Sequence, residues 1–325
     1  MSSSSLGADY YRSRLSAQGK SFYDCLLSQL QGGNYSGRVS LRVFDSTNAS
    51  SDCFSAYTAL RDDHPEYFFL GLQARFASIG SHGILFYPLL YSDDIIRRVQ
   101  LQLRRRICEL VRGTFVPDPV DAEILVYGRI AQEINYIDHN DVRDHNIVGP
   151  VLFGSGVCEG YTSLLNLCLR RIGIPCIKAR GFTSEGTPHC WTIAWVKGVP
   201  VHCDVIGDRF NAEGIVGFNY LNLSDRQIAA NHRMNSDYPC PSCKSEAFTY
   251  HRWNRLCVNS RAELVKQIKD AQPFSSPLRL HIEYLPKGVD LAKEAQAAYR
   301  RSMSLGYVNI HTYPEFGNII ITRKH

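Results

Sequence analysis

Cys158 is the residue of this chain most suited to covalent chemistry. It lies in the run Gly154-Ser-Gly-Val-Cys-Glu-Gly-Tyr161, at the point where helical spacing begins. A free thiol ionises at about pH 8.5, and the unpaired N–H groups and dipole of a helix N-terminus lower that value by favouring the thiolate. The same amides can donate to the oxyanion of a tetrahedral intermediate. Gly154 and Gly156 permit a tight entry, and Gly160 is expected to leave room for a substrate beside the first turn. A thiolate of this kind needs a proton acceptor. His189 opens a strand-like run in which His189, Trp191, Ile193 and Trp195 share one face by the period of two. Lys197-Gly198-Val199 suits a tight antiparallel connection, and the returning run carries His202 and Asp204 on a common face. That register sets Asp204 beside His189, where a carboxylate fixes the imidazole tautomer and stabilises the imidazolium. Spacing alone leaves the plainer reading open, in which Cys158 is a core thiol and His189 a satisfied surface residue. A metal held by His189, His202 and Asp204 would leave Cys158 unexplained. Cys190 and Cys203 alternate to the opposite face and are expected in the core.

The elements that must position these residues follow from periodicity. Cys158 to Ile172 carries Tyr161, Leu165, Leu169 and Ile172 on one helical stripe, and Gly173 stops it. Strands are expected at Cys176 to Phe182, His189 to Val196 and Pro200 to Val205, preceded by a helix from Asp121 to about Tyr136. Toward the N-terminus, a helix is expected over residues 9–31 and a strand at Arg38 to Phe44. A helix near 52–61, a hairpin of Tyr67 to Ile79 with Ile84 to Leu90, and a helix over 93–112 follow. Residues 222–258 are polar and contain Pro239 and Pro241, so loop with short helices is expected. A strand at Leu278 to Leu285, a helix at Leu291 to Met303 and strands at Tyr307 to Tyr313 and Asn318 to Thr322 end the chain.

Composition narrows the function classes. Apolar residues make up 44% of 325 residues, which suits a globular chain with sizeable cores. Thirty-six basic against 31 acidic residues give +5, too mild to imply a nucleic-acid partner. The one dense basic run, Arg97-Arg98 and Arg104-Arg105-Arg106, alternates with Ile96, Val99, Leu103 and Ile107 and reads as a solvated helix face. No run is long and apolar enough for a membrane span, and residues 1–9 lack the features of a signal peptide. A cytoplasmic protein is favoured, with secretion possible if a signal was removed. Eleven cysteines scattered among apolar residues read as reduced thiols. Cys240-Pro-Ser-Cys243 is half of a zinc pattern, with His232, His251 and Cys257 nearby, but the second half is not cleanly spaced. Cys240, Cys243, His251 and Cys257 are therefore weak metal candidates, and no cofactor is expected. No calcium-loop pattern is present. Oligomeric state is not legible.

Gly-Val-Cys-Glu-Gly-Tyr, a helix ending Arg-Ile-Gly-Ile-Pro, a strand, His-Cys-Trp and then Val-His-Cys-Asp-Val together resemble the core of the transglutaminase-like superfamily. The resemblance is specific over about residues 145–206. It extends more weakly to Asp63-His-Pro-Glu-Tyr-Phe-Phe69, which looks like the leader region of bacterial proteins of this kind. It implies an α+β fold with a papain-like or transglutaminase-like core, its nucleophile helix packed on an antiparallel sheet. An N-terminal α+β extension (1–116), the core (117–260) and a C-terminal α+β subdomain (261–325) are expected. It also implies Cys158 as nucleophile, His189 as base and Asp204 as third member. The implied activity is acyl transfer on peptide or carboxamide bonds, as a hydrolytic protease or amidase with a peptide or protein substrate. Transamidation of protein glutamine, or a peptide- or glycan-binding module with a vestigial triad, are the alternatives. Tyr136, Asn146 and Gln132 are candidates for the second oxyanion donor, and Trp191 for the cleft wall. Val205-Ile206-Gly207-Asp208 replaces the family's Thr-Trp and acidic residue, and Thr192 replaces an Asn; both departures are expected to shape the cleft floor.

Overall fold

The computed structural model describes residues 7, 9–208, 214–286, 289–302 and 307–324. The reading of the first nine residues as lacking a signal peptide, and the end of the helix expected to reach Met303, fall mostly outside them. The N-terminal helical pattern resolves into α1 (Tyr10–Ser13) and α2 (Ala17–Gln31). They part at Ser16, whose hydroxyl accepts from the Gly19 N–H at 2.9 Å and starts the second helix. Next come β1 (Arg38–Arg42), α3 (Ala49–Asp63), β2 (Arg75–Ile79) and β3 (His82–Phe86), with the strands ordered β1-β3-β2. The hairpin is shorter than expected because Phe68, Phe69 and Leu70 pack into the core as loop residues. Along α4 (Asp93–Leu110), Ile96, Val99 and Leu103 are buried while Arg97, Arg98, Arg104 and Arg105 face solvent.

The segment that supports Cys158 begins with α5 (Pro119–Glu133), capped by the Asp118 carboxylate on the Val120 N–H. This helix ends three residues before the expected point. Ile134 turns extended, and β4 (Asn135–Tyr136) pairs in parallel with β5 (Ser155–Gly156). Between them a π-helical turn, Gly149–Phe153, closes on Gly154 at φ +64°, the left-handed conformation glycine tolerates. Then follow α6 (Cys158–Arg171), β6 (Cys176–Thr183), β7 (Pro188–Val196), β8 (Val199–Cys203) and β9 (Leu221–Leu223). Gly173 stops α6 at φ +83°. Lys197 and Gly198, both at positive φ, make the two-residue turn between β7 and β8. The polar stretch expected as loop contains α7 (Asp225–Ile228), β10 (His232–Met234), α8 (Tyr250–Trp253) and β11 (Cys257–Val258). The chain ends in α9 (Arg261–Asp270), β12 (Leu278–Ile282), α10 (Leu291–Arg301), β13 (Val308–Tyr313) and β14 (Asn318–Arg323).

Among the described residues the central sheet is antiparallel, in the order β10-β6-β7-β8-β9. Helix α6 lies on the face formed by the even-numbered residues of β7: Thr162 Oγ1 donates to the Cys190 carbonyl, and Thr192 Oγ1 to Asn166 Oδ1. A second sheet, β11-β12-β14-β13, carries α9 and α10. Its apolar core (Leu264, Ile268, Leu280, Ala295, Ile319, Ile321) is distinct from the one that runs from Tyr10 to Cys243. The architecture is α+β, with a helix on an antiparallel sheet and α+β segments on either side, as the resemblance implies.

β10 reaches the sheet only because β6 presents Gly181 to it. A Cβ at that position would collide with the Arg233 carbonyl oxygen and stand 2.8 Å from Cη2 of Trp191. Gly181→Ala is expected to lower stability by about 1–3 kcal/mol, seen as a lower denaturant midpoint at unchanged slope. An unaltered midpoint would contradict the seating of β10 on the edge of β6.

Candidate active site

Cys158 is the first residue of α6 and is partly exposed. Val157, extended before it, makes no side-chain cap, so no side chain competes for the amides of the first turn. The approach is fixed by Val157 N–H donating to the Asp144 carbonyl at 3.0 Å. The space beside Gly160, expected for substrate, is filled: a Cβ there would meet the Asn146 carbonyl oxygen at 2.9 Å and the Pro150 ring at 3.0 Å. That glycine seats the helix on the preceding loop.

The histidine and the aspartate arrive on the sheet. The pairing Thr192↔Cys203, continued one step, sets Asp204 opposite Trp191, so its carboxylate reaches His189 along the diagonal. His189 Nε2 lies 2.8 Å from Asp204 Oδ2. Cys158 is close enough to His189 to lift its pKa, and with Nε2 engaged, Nδ1 is the nitrogen left for the sulfur. The structure thus brings Cys158, His189 and Asp204 into one chain of contacts. Trp191 stacks on His189 with centroids 5.9 Å apart, but it is buried behind the ring and forms no part of an open cleft wall.

Asp204 is 4% exposed. Burial would raise its pKa, yet hydrogen bonds from His189 and His232 outweigh burial and hold the carboxyl well below the usual range. Its other oxygen accepts from the Ile206 N–H at 3.1 Å. At Cys158 the main cause is a hydrogen bond from the Cys190 thiol; burial opposes it, His189 and the Cys190 N–H add to it, and the pKa falls to about 5. His189 is pulled down by burial but lifted more strongly by Asp204 and Cys158, to about 10. Between those values the pair stands as thiolate and imidazolium.

Of the three oxyanion candidates, Tyr136 is the one the structure brings to Cys158. β4 sets it opposite Gly156, and burial, followed by the charge at Cys158, pushes its phenol up. Gln132 lies on the exposed side of α5. Asn146 commits its amide to the Tyr91 hydroxyl at 3.0 Å and the Val142 carbonyl at 2.9 Å. Thr192 is buried beneath α6, and Asp208 is buried against Tyr127, Asn219 and Tyr220. Cys203 is core, as expected. Cys190 is buried as expected, yet on the α6 side its thiol meets Cys158. His232, weighed in the sequence only as a neighbour of the Cys-x-x-Cys pair, lies 3.0 Å from Asp204.

Cys240, Cys243, His251 and Cys257 do not converge among the described residues. Two other groups have ligand-type atoms close together: His189, Asp204 and His232, and His202, Asp225 and Cys243. In both the nitrogen and oxygen atoms are hydrogen-bonded to each other, at 2.8, 3.0 and 2.9 Å. Ligands on a tetrahedral zinc stand roughly 3.3 Å apart. His202 is further committed, because Trp191 Nε1, a donor only, occupies its Nδ1 at 2.9 Å. Its proton therefore sits on Nε2 and points at Asp225. In this structure both are hydrogen-bond networks.

The lowered thiol is directly measurable. Thiolate ultraviolet absorbance is expected to grow in with a midpoint of about pH 5 and to vanish in Cys158→Ala. Cys168, Cys176, Cys203 and Cys243 are pushed up by burial and do not overlap. A titration with nothing ionising below about pH 8 would contradict the geometry.

Residues 109–205 match the sequence profile of the Transglutaminase-like superfamily. No curated protein matches the chain. Among solved structures, a TGase is similar at 14% identity over 52% of this chain and 50% of its own, with a TM-score of 0.31. A candidate cysteine protease from Cytophaga hutchinsonii follows at 13% identity, 44% of this chain, 64% of its own, TM-score 0.29. A candidate protease from Parabacteroides distasonis gives 10% identity, 41% and 35% coverage, TM-score 0.27. The chain spans about half the length of the first of these, and at such scores the three likenesses carry no argument. The profile match spans Cys158, His189 and Asp204 together, and through residues 109–205 the chain is placed in the transglutaminase-like superfamily.

Proposed function

We propose that this chain is a cysteine-dependent acyl-transfer enzyme acting on peptide or carboxamide bonds, with hydrolysis as its outcome. The observation that carries the reading is the unbroken order of sulfur, imidazole and buried carboxylate, with Cys158 at a helix start that no side chain caps. Each group then has a role its surroundings support. The Cys158 thiolate attacks the carbonyl carbon, and the electron pair of the C=O moves onto oxygen. The Cys158 N–H and the Tyr136 hydroxyl are the donors proposed for that oxyanion. His189 passes its Nδ1 proton to the departing nitrogen as the tetrahedral intermediate collapses to a thioester. It then takes a proton from the incoming water as that water attacks the thioester. The second tetrahedral intermediate collapses by breaking its C–S bond, which releases the carboxylic acid and restores the Cys158 thiolate beside the His189 imidazolium. Asp204 keeps Nε2–H fixed and stabilises the imidazolium throughout, remaining ionised itself.

Hydrolysis is favoured over transamidation because water needs no acceptor subsite of its own. The test is a peptide-library assay beside a glutamine–amine transfer assay with mass detection, wild type against Cys158→Ala. Turnover is expected in the wild type and a fall of about 10⁴-fold or more in the variant. Amine incorporation without hydrolysis would replace the hydrolytic reading by transamidation. Full activity in Cys158→Ala would end the acyl-transfer reading.

A further inference from the structure

Asp204 Oδ2 receives two imidazoles. His189 Nε2 lies 2.8 Å from it and His232 Nε2 3.0 Å, with the two rings 5.2 Å apart. Nothing in the triad scheme calls for a second histidine on the oxygen that orients the base. His232 is nonetheless firmly held there, with a side chain only 6% exposed. Trp191 meets it edge-on at 5.0 Å and Tyr220 lies 5.9 Å away. Its other nitrogen, Nδ1, is 2.6 Å from Asn231 Oδ1. Asn231 is oriented in turn, because its amide nitrogen donates to the Tyr220 hydroxyl and so leaves the carbonyl oxygen toward the ring. Both nitrogens of His232 therefore face oxygen acceptors, and each is placed to donate.

We propose that His232 is a positioning residue for the acyl-transfer chemistry, donating to Asp204 Oδ2 so that the carboxylate is aimed at His189 and its pull on that imidazole is limited. The inference rests on the proposed function. The physical reason is competition at one atom. A buried carboxylate oxygen with one donor concentrates its basicity on that donor, and a second donor takes part of it. An imidazolium tied too tightly to its carboxylate is a poor acid toward a leaving amine. The titratable groups facing His232 are Asp204, His189 and Tyr220. Tyr220, with Glu315 and Asp208 near it, is pushed far up by burial, which leaves Asp204 and His189 as the partners that matter near neutrality.

The experiment uses the full chain with selectively isotope-labelled histidine, read by nuclear magnetic resonance. In the wild type the His232 Nε2 site is expected to carry an exchange-protected proton at neutral pH. A bare Nε2 overturns the proposal without any substitution. In His232→Phe, which keeps a ring in the Trp191–Tyr220 box but no donor, the His189 pKa is expected to rise by about one unit. The fall in kcat should exceed any change in KM. His232→Gln offers an amide donor and is expected to restore the His189 titration toward the wild-type value. A merely structural histidine would lower stability in both variants and leave the His189 titration unmoved; that result overturns the inference alone. Full activity in Cys158→Ala ends the acyl-transfer reading, a failure separable from this one.

Discussion

A carboxylate removed from water is costly, with an effective penalty of several kcal/mol even after relaxation. Asp204 is such a group, and the central part of the molecule is arranged to satisfy it. His189 comes from β7, His232 from β10, and the Ile206 N–H from the turn just beyond. Its backbone is held as well: the carbonyl accepts from the Tyr127 hydroxyl on α5 at 2.8 Å, and its N–H donates to the Tyr220 carbonyl. Moving any of these segments leaves a buried charge short of a partner. Asp204 therefore acts as a junction, and the orientation of His189 depends on elements far apart in sequence.

Cys158 is fixed by a separate set of constraints. β4 and β5 form a two-residue parallel ladder that delivers Tyr136 to the neighbourhood of Cys158, and the α6–β7 contact delivers Cys190 there. Glu159, the next residue, is held by Arg180 at 3.0 Å and Lys178 at 3.5 Å, and both bases also reach Asp62 at the end of α3. This buried ion network ties the N-terminal helices to the first turn of α6. Breaking one member would strand a buried charge, which is far more disruptive than the pair is stabilising. The N-terminal segment thus contributes directly to where the sulfur points.

Much of this was legible in the sequence, for identifiable reasons. The stripe of Tyr161, Leu165 and Leu169 and the stop at Gly173 define α6, and Lys197-Gly198 permits only a tight turn, which aligns His189 with Asp204. Other features left no such signal. Tyr136 continues the helical pattern of α5, and only the pairing with β5 pulls it into a strand. β10 is three residues on a sheet edge, two of them polar, too short for any periodicity to reveal, so His232 was weighed only against the cysteines beside it. Parity along β7 correctly separated Cys190 from His189. Which face α6 covers is a tertiary fact, and on that fact Cys190 and Thr192 change their meaning.

The turn after β8 explains why the site can be rigid where the ladder ends. Beyond Cys203 the strand stops, and Asp208 takes over the hydrogen bonding. Its carboxylate accepts from the Asn219 and Tyr220 N–H groups at 2.6 and 3.0 Å, and it shares the single proton of the Tyr127 hydroxyl, 2.6 Å away, with the Asp204 carbonyl. Tyr127 and Tyr220 are the residues that grip the Asp204 backbone. Asp208 consequently holds both clamps on Asp204 while never touching His189. The two aspartates sit in opposite electrostatic settings. Burial prevails at Asp208 and lifts it to about 6, whereas the histidines prevail at Asp204 and keep it ionised. One carboxylate is thereby kept charged beside His189 and the other serves to hold it in place. The two roles follow from their donors, a pair of imidazoles for one and a phenol with two amides for the other.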